Sequence, residues 1–180
     1  MGATYWESVT PYCEAVEEAL RQAQIQFFRE ASYDVAKLLA QQIENMTRAV
    51  RSCEEDDSYN LLDFYRDALD QYRSMAATGI PEDPWAQIQL LRRMEQISGN
   101  GIGNILDVTG ISDGMEEGHV QQFTPERIAE LCGTKAPSFL QARTGMERIA
   151  DSLSRGTAVC FPIYEGQQRA AWFFAGYSAD

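Results

Sequence analysis

Val35, Leu39, Ile43, Met46, Val50 and Cys53 recur at spacings of 4, 4, 3, 4 and 3, the period of one face of an α-helix. An apolar stripe of that length must be buried, which commits this part of the chain to packed helices. The flanking segments repeat the pattern. Val16, Leu20, Ala23 and Phe27 mark a helix upstream, with Thr10-Pro11 read as its N-cap and first helical residue. Glu14, Glu17 and Glu18 then occupy its early turns, where the helix dipole favours them. Ser32 restarts the chain into the second stripe, and periodicity alone leaves open whether residues 11–53 are one helix or two.

The run Glu54-Glu55-Asp56-Asp57-Ser58 reads as a loop that caps a third helix, striped by Leu61/Leu62, Tyr65, Leu69, Tyr72 and Met75. It stops at Thr78-Gly79-Ile80-Pro81, and Asp83-Pro84 opens a fourth helix carrying Trp85, Ile88, Leu91, Met94 and Ile97. The fold class expected is therefore mainly α, with an antiparallel helical bundle over residues 1–98. Residues 99–123 change character. They are rich in glycine and read as a linker or ordered loop, with a short strand at Asn104–Thr109. Residues 124–180 read as a small α+β lobe. Thr124-Pro125-Glu126 caps a short helix ending near Cys132-Gly133, a second helix runs from Ala136-Pro137 to Ser154, and an aromatic β-hairpin follows. Pro162 cannot donate to a ladder, which places its strand at an edge or a bulge.

Ile128-Ala129-Glu130-Leu131-Cys132-Gly133, followed by a second helix and a hairpin, resembles a winged helix-turn-helix. The resemblance implies a transcriptional regulator that reads DNA with its second helix. That helix begins Lys135-Ala136-Pro137-Ser138-Phe139-Leu140-Gln141, with one basic residue, and the wing carries only Arg169.

Several patterns in the chain bear on chemistry. Gly99-Asn100-Gly101-Ile102-Gly103 resembles a phosphate loop in composition, but a helix precedes it, a strand is expected after it, and no Lys-Ser/Thr pair follows. It is read as a helix cap entering a loop. His119 is the only histidine, and Cys13, Cys53, Cys132 and Cys160 form no C-x-x-C pair, so no metal site and no cofactor are expected. An enzyme using His119, a cysteine, or Asp107 and Asp113 in the glycine-rich loop remains an alternative.

The chain carries 27 acidic and 15 basic residues, a net charge of −12, and 21 of the acidic but only 9 of the basic residues fall in residues 1–123. Such a surface repels phosphate backbones and attracts basic proteins. No apolar run approaches the roughly 18 to 20 residues that span a bilayer, and no basic-then-apolar leader opens the sequence, so a soluble cytoplasmic protein is expected. The profile is that of inhibitors, immunity proteins, phage-encoded antagonists and adaptors. A non-enzymatic protein that engages a basic protein partner is expected, with contact residues Glu14, Glu17, Glu18, Glu54, Glu55, Asp56 and Asp57. Trp172 and Phe174 join them, because Trp172, Phe173 and Phe174 cannot share one face of a strand. That hairpin is also the expected site of any homo-oligomer.

Overall fold

A computed structural model of the chain describes residues 4–55, 59–99 and 101–178. It is a mixed α+β fold, with seven α-helices and a five-stranded sheet among the described residues. The chain divides into a sheet unit, residues 1–30 with 101–180, and a helical unit, residues 31–100.

In the sheet unit the strands are β1 (Tyr5–Pro11), β2 (Gly110–Ser112), β3 (His119–Gln122), β4 (Ala158–Glu165) and β5 (Gln168–Tyr177), in the order β1-β5-β4-β3-β2. β4 and β5 form an antiparallel hairpin that pairs Phe161 with Phe173 and closes at Glu165 and Gln168. Gly166 turns it at φ 63°, the left-handed region where glycine bears no Cβ penalty. β1 pairs antiparallel with β5, from Tyr5 opposite Tyr177 to Pro11 opposite Ala171. β3 runs parallel to β4 and β2 parallel to β3. The return from β3 to β4 passes through α5 (Pro125–Cys132), α6 (Phe139–Thr144) and α7 (Met146–Asp151).

Those three helices cover one sheet face. Ile128, Leu131, Ala142 and Ile149 pack against Val159, Phe161, Ile163, Phe173 and Ala175. The alternate residues, Ala158, Cys160, Trp172 and Phe174, are buried too, so both faces of the β4–β5 hairpin are covered. α1 (Val16–Ala31) also lies in this unit up to Glu30, and a 3-10 turn at Ile105–Asp107 contacts β1. Gln24, 1% exposed, fastens α1 to the turn by donating to the carbonyls of Ile105 (3.0 Å) and Val108 (2.8 Å).

Several expectations are corrected here. The mainly α fold class gives way to a mixed one. Thr10-Pro11 does not open a helix: both residues lie in β1, where pairing with β5 prevails over a local capping signature, and α1 begins at Val16. Residues 4–30 thus belong to the sheet unit rather than to a helical bundle spanning 1–98. The strand expected at Asn104–Thr109 is the 3-10 turn, closed by a capping box between Asn104 and Asp107. The single helix expected from Ala136-Pro137 to Ser154 is two, α6 and α7, divided at Gly145. A Cβ on Gly145 would stand 2.8 Å from the carbonyl oxygen of Leu131, so the chain passes α5 where only glycine fits. β4 lies inside the sheet, yet β3 pairs only with Ala158–Cys160. Pro162 falls beyond that pairing and next to a register shift at Ile163/Tyr164, which spares its missing donor.

The helical unit contains α2 (Val35–Glu55), α3 (Tyr59–Thr78) and α4 (Pro84–Ser98). α1 and α2 are separate helices, because Ser32 takes a left-handed φ of 53° and Asp34 caps α2 by accepting from the Lys37 amide at 2.9 Å. α2 and α3 pack against each other, and Arg66 of α3 reaches Glu54 of α2 at 2.7 Å. α4 begins as its sequence dictates, with Asp83 Oδ2 accepting from the Ala86 amide at 2.8 Å, and ends at Gly99 with φ 72°. Tyr72, fully buried on α3, donates its hydroxyl to the Met94 carbonyl of α4 at 2.9 Å.

Candidate partner-binding surfaces

The glycine-rich loop carries its own anion. Asp107 Oδ1 accepts from the Ile102 amide at 2.6 Å, and Oδ2 accepts from Gly103 at 2.7 Å and Asn104 at 3.3 Å. The amides that a phosphate would use are therefore filled by a carboxylate of the same chain, and Asp107 is structural.

His119 Nδ1 lies 3.2 Å from the Glu117 carbonyl oxygen and 4.0 Å from Glu116 Oε2. Neither cysteine considered as its partner is activated. Burial pushes the Cys160 thiol well above its ordinary range, with the Glu17 carboxylate adding to the effect, and burial also raises Cys132. Both thiols stay protonated at neutral pH, the form that is a weak nucleophile. Among the described residues no three His, Cys, Asp or Glu side chains gather into a group that could hold a metal ion. No described helix is long and apolar enough to cross a membrane.

The expected contact residues separate. Glu14, Glu17 and Glu18 are exposed at the start of α1 in the sheet unit, while Glu54 and Glu55 are exposed at the end of α2 in the helical unit. Glu54 is held by Arg66 at 2.7 Å. Asp56 and Asp57 lie outside the described residues. Trp172 and Phe174 do not form a surface: they are 3% and 0% exposed, and the Trp172 indole stacks on Tyr12 and donates to the Cys13 carbonyl at 2.9 Å. Along β5 the edge from Ala171 to Tyr177 is taken by β1.

The fold also redistributes the charge. The sheet unit holds 15 acidic and 8 basic residues and the helical unit 12 and 7, giving −7 over 110 residues and −5 over 70. Each unit is acidic to nearly the same density, whereas along the sequence the charge lay in the first two-thirds.

A feature missed at the sequence level lies within the helical unit, in the groove between α3 and α4. One hollow of about 700 Å³ is lined by Gln71, Met75, Ile80, Trp85, Leu90 and Arg93 among others. A second, of about 450 Å³, shares Gln71, Met75 and Arg93 and continues to Phe64, Asp67, Ala68 and Ile97. Ala68 and Leu90 are buried, Met75 and Ile97 half-buried, and Phe64 is 54% exposed. Asp63, Asp67 and Asp70 are exposed at spacings of 4 and 3 on the α3 side, and Asp70 has a 3.9 Å contact with Arg73. Asp63, Asp67 and Arg93 have no ion-pair partner among the described residues. The signal was available: Phe64 stands off the buried stripe of α3, and the three aspartates share a helical face.

Comparison with protein-family models, with curated proteins and with solved structures returned no match to this chain.

Proposed function

We propose that the chain is a non-enzymatic, cytoplasmic interaction protein of the inhibitor or adaptor type, which engages a basic protein through carboxylates exposed on its helices. In this reading α2, α3 and α4 act as an antiparallel helical bundle that presents the acidic face. One observation carries it: exposed carboxylates such as Glu14, Glu17, Asp63 and Asp67 have no ion-pair partner among the described residues, on units that both keep a negative excess. A partner supplying Lys and Arg would lower that self-repulsion and gain in association rate.

The alternative, a winged-helix regulator, draws on the order α5, α6, α7, β4, β5, with Gly133 making the turn at φ 78°. Its two cations are engaged elsewhere. Lys135 Nζ lies 2.6 Å from Glu126 Oε1, and Arg169 donates to the hydroxyls of Tyr12 (2.8 Å) and Tyr164 (3.3 Å). The acidic-surface reading is the better supported one.

Affinity capture from the native host, washed at low salt and then at about 1 M, where the Debye length shrinks to about 3 Å, tests the proposal. Basic proteins released by the high-salt wash are expected. Retention unchanged in 1 M salt, or capture of DNA fragments instead, would count against it.

A further inference from the structure

We propose that the α3–α4 groove seats one amphipathic helix of a partner protein, whose apolar stripe enters the groove and whose lysine- or arginine-rich border meets Asp63, Asp67 and Asp70. The inference rests on the basic-partner reading and adds where the partner sits and in what form.

The groove runs from Phe64 to Thr78 on α3, 15 residues whose ends lie about 21 Å apart at 1.5 Å per residue, the length of about four helical turns. Its apolar surface comes from Phe64, Ala68 and Met75 on one side and Leu90 and Ile97 on the other. Both walls are helices whose backbone groups bond within themselves. An extended peptide laid between them would find no ladder for its amides, whereas a helix bonds its own and brings only side chains. That argues against a guest strand, which needs a backbone ladder.

Charge then selects the kind of helix. The α3 wall presents three carboxylates on one helical face, two of them without a cation among the described residues. Arg93 is the cation common to both hollows, and it offers a donor for a single acceptor of the guest. A second copy of this chain would bring the same aspartates to the same wall, and like charges oppose that pairing. A basic border on a foreign helix fits.

The probe is a fluorescein-labelled peptide of about 15 residues with leucines at helical spacing bordered by lysines, read by anisotropy against the full chain; its control replaces every lysine by glutamate. The basic peptide is expected to bind. Its Kd should rise about tenfold or more in Phe64→Glu/Met75→Glu and in Asp63→Asn/Asp67→Asn/Asp70→Asn. It should be unchanged in Glu147→Gln/Asp151→Asn, a pair of exposed carboxylates on α7. Substituted positions are exposed or half-buried, and unchanged thermal melts establish that each variant folds.

Loss of binding in the aspartate variant but not in Phe64→Glu/Met75→Glu would overturn the groove while leaving the basic-partner reading intact. Equal binding of the glutamate peptide, or no binding of the lysine peptide, would overturn both. A dimer in sedimentation that Phe64→Glu disperses would make the groove a contact between copies and overturn the inference.

Discussion

Tyr5 carries the one buried side-chain polar atom without a hydrogen-bond partner among the described residues. Its ring packs edge-on to Tyr177 at 5.4 Å, leaving the hydroxyl in apolar surroundings. Burial, with Glu7 and Tyr177 adding, pushes its pKa from 10.0 up to about 12. The raised value makes the folded chain hold a proton that the unfolded chain gives up. Stability from this residue is therefore complete below pH 10 and is lost as pH rises through 12. Tyr5→Phe removes both the orphan hydroxyl and that titration. At pH 7 the variant should be as stable as the wild type or more stable by up to about 1 kcal/mol. Its urea midpoint should fall less than the wild type's between pH 10 and 12. A loss of more than about 1 kcal/mol at pH 7 would show that the hydroxyl has a partner after all. Residue-level legibility was uneven for a physical reason. The fillers of the glycine-rich loop, Asn104 and Asp107, lie within six residues of the amides they serve, so their capping-box spacing was readable in principle. The bonds of Gln24 span 81 and 84 residues, and no local pattern reports them.

Elements were legible where their ends are closed by neighbours in sequence. Asp83 and Gly99 bound α4, and Thr124 and Gly133 bound α5, as their residue types dictate. β1 was not legible, since Thr10-Pro11 carries the same local chemistry as a helix start and only β5 decides otherwise. That decision depends on a close approach: a Cβ on Gly176 would run into the Trp6 ring and stand 2.8 Å from the Cβ of Ala158. Gly176 sits opposite Trp6 in β1 and Ala158 in β4, so glycine lets three strands close around the indole. Gly176→Ala should cost about 1–3 kcal/mol in urea denaturation, the range for overpacking a filled core, by forcing Trp6 away from β5. Tryptophan fluorescence would report the displacement, although Trp85 and Trp172 also contribute. A variant as stable as the parent would mean that β1 adjusts at no cost and is a weakly held edge. The split of the expected helix at Gly145 has the same origin, since periodicity continues through a residue whose role is set by the Leu131 carbonyl.

At the scale of the molecule, the sequence order hides a discontinuous unit. The sheet unit is left at residue 30 and regained at residue 101, so a charge profile along the chain could not show that both units are acidic. The apolar core on the α5–α7 face of the sheet draws on β1, α5, α6, α7, β4 and β5, and none of the residues in that cluster comes from 31–100. The ends to be joined are close to a common anchor. Glu30 lies six residues beyond Gln24, about 9 Å along α1, and Gly101 four residues before Ile105, which Gln24 holds. A linker of about ten Gly/Ser residues, reaching about 33 Å, can span that gap. Replacing residues 31–100 by this linker should leave a protein that unfolds cooperatively in urea and keeps dispersed amide resonances. Its m-value should fall with the smaller surface exposed on unfolding. A non-cooperative transition with collapsed resonances would instead show that the sheet core needs residues 31–100. The same deletion removes the α3–α4 groove while keeping Glu14, Glu17 and Glu18, and therefore separates the two acidic surfaces physically. Binding of the lysine peptide should be lost from a folded sheet unit, because Phe64, Ala68, Met75, Leu90 and Ile97, the apolar surface of the groove, go with residues 31–100.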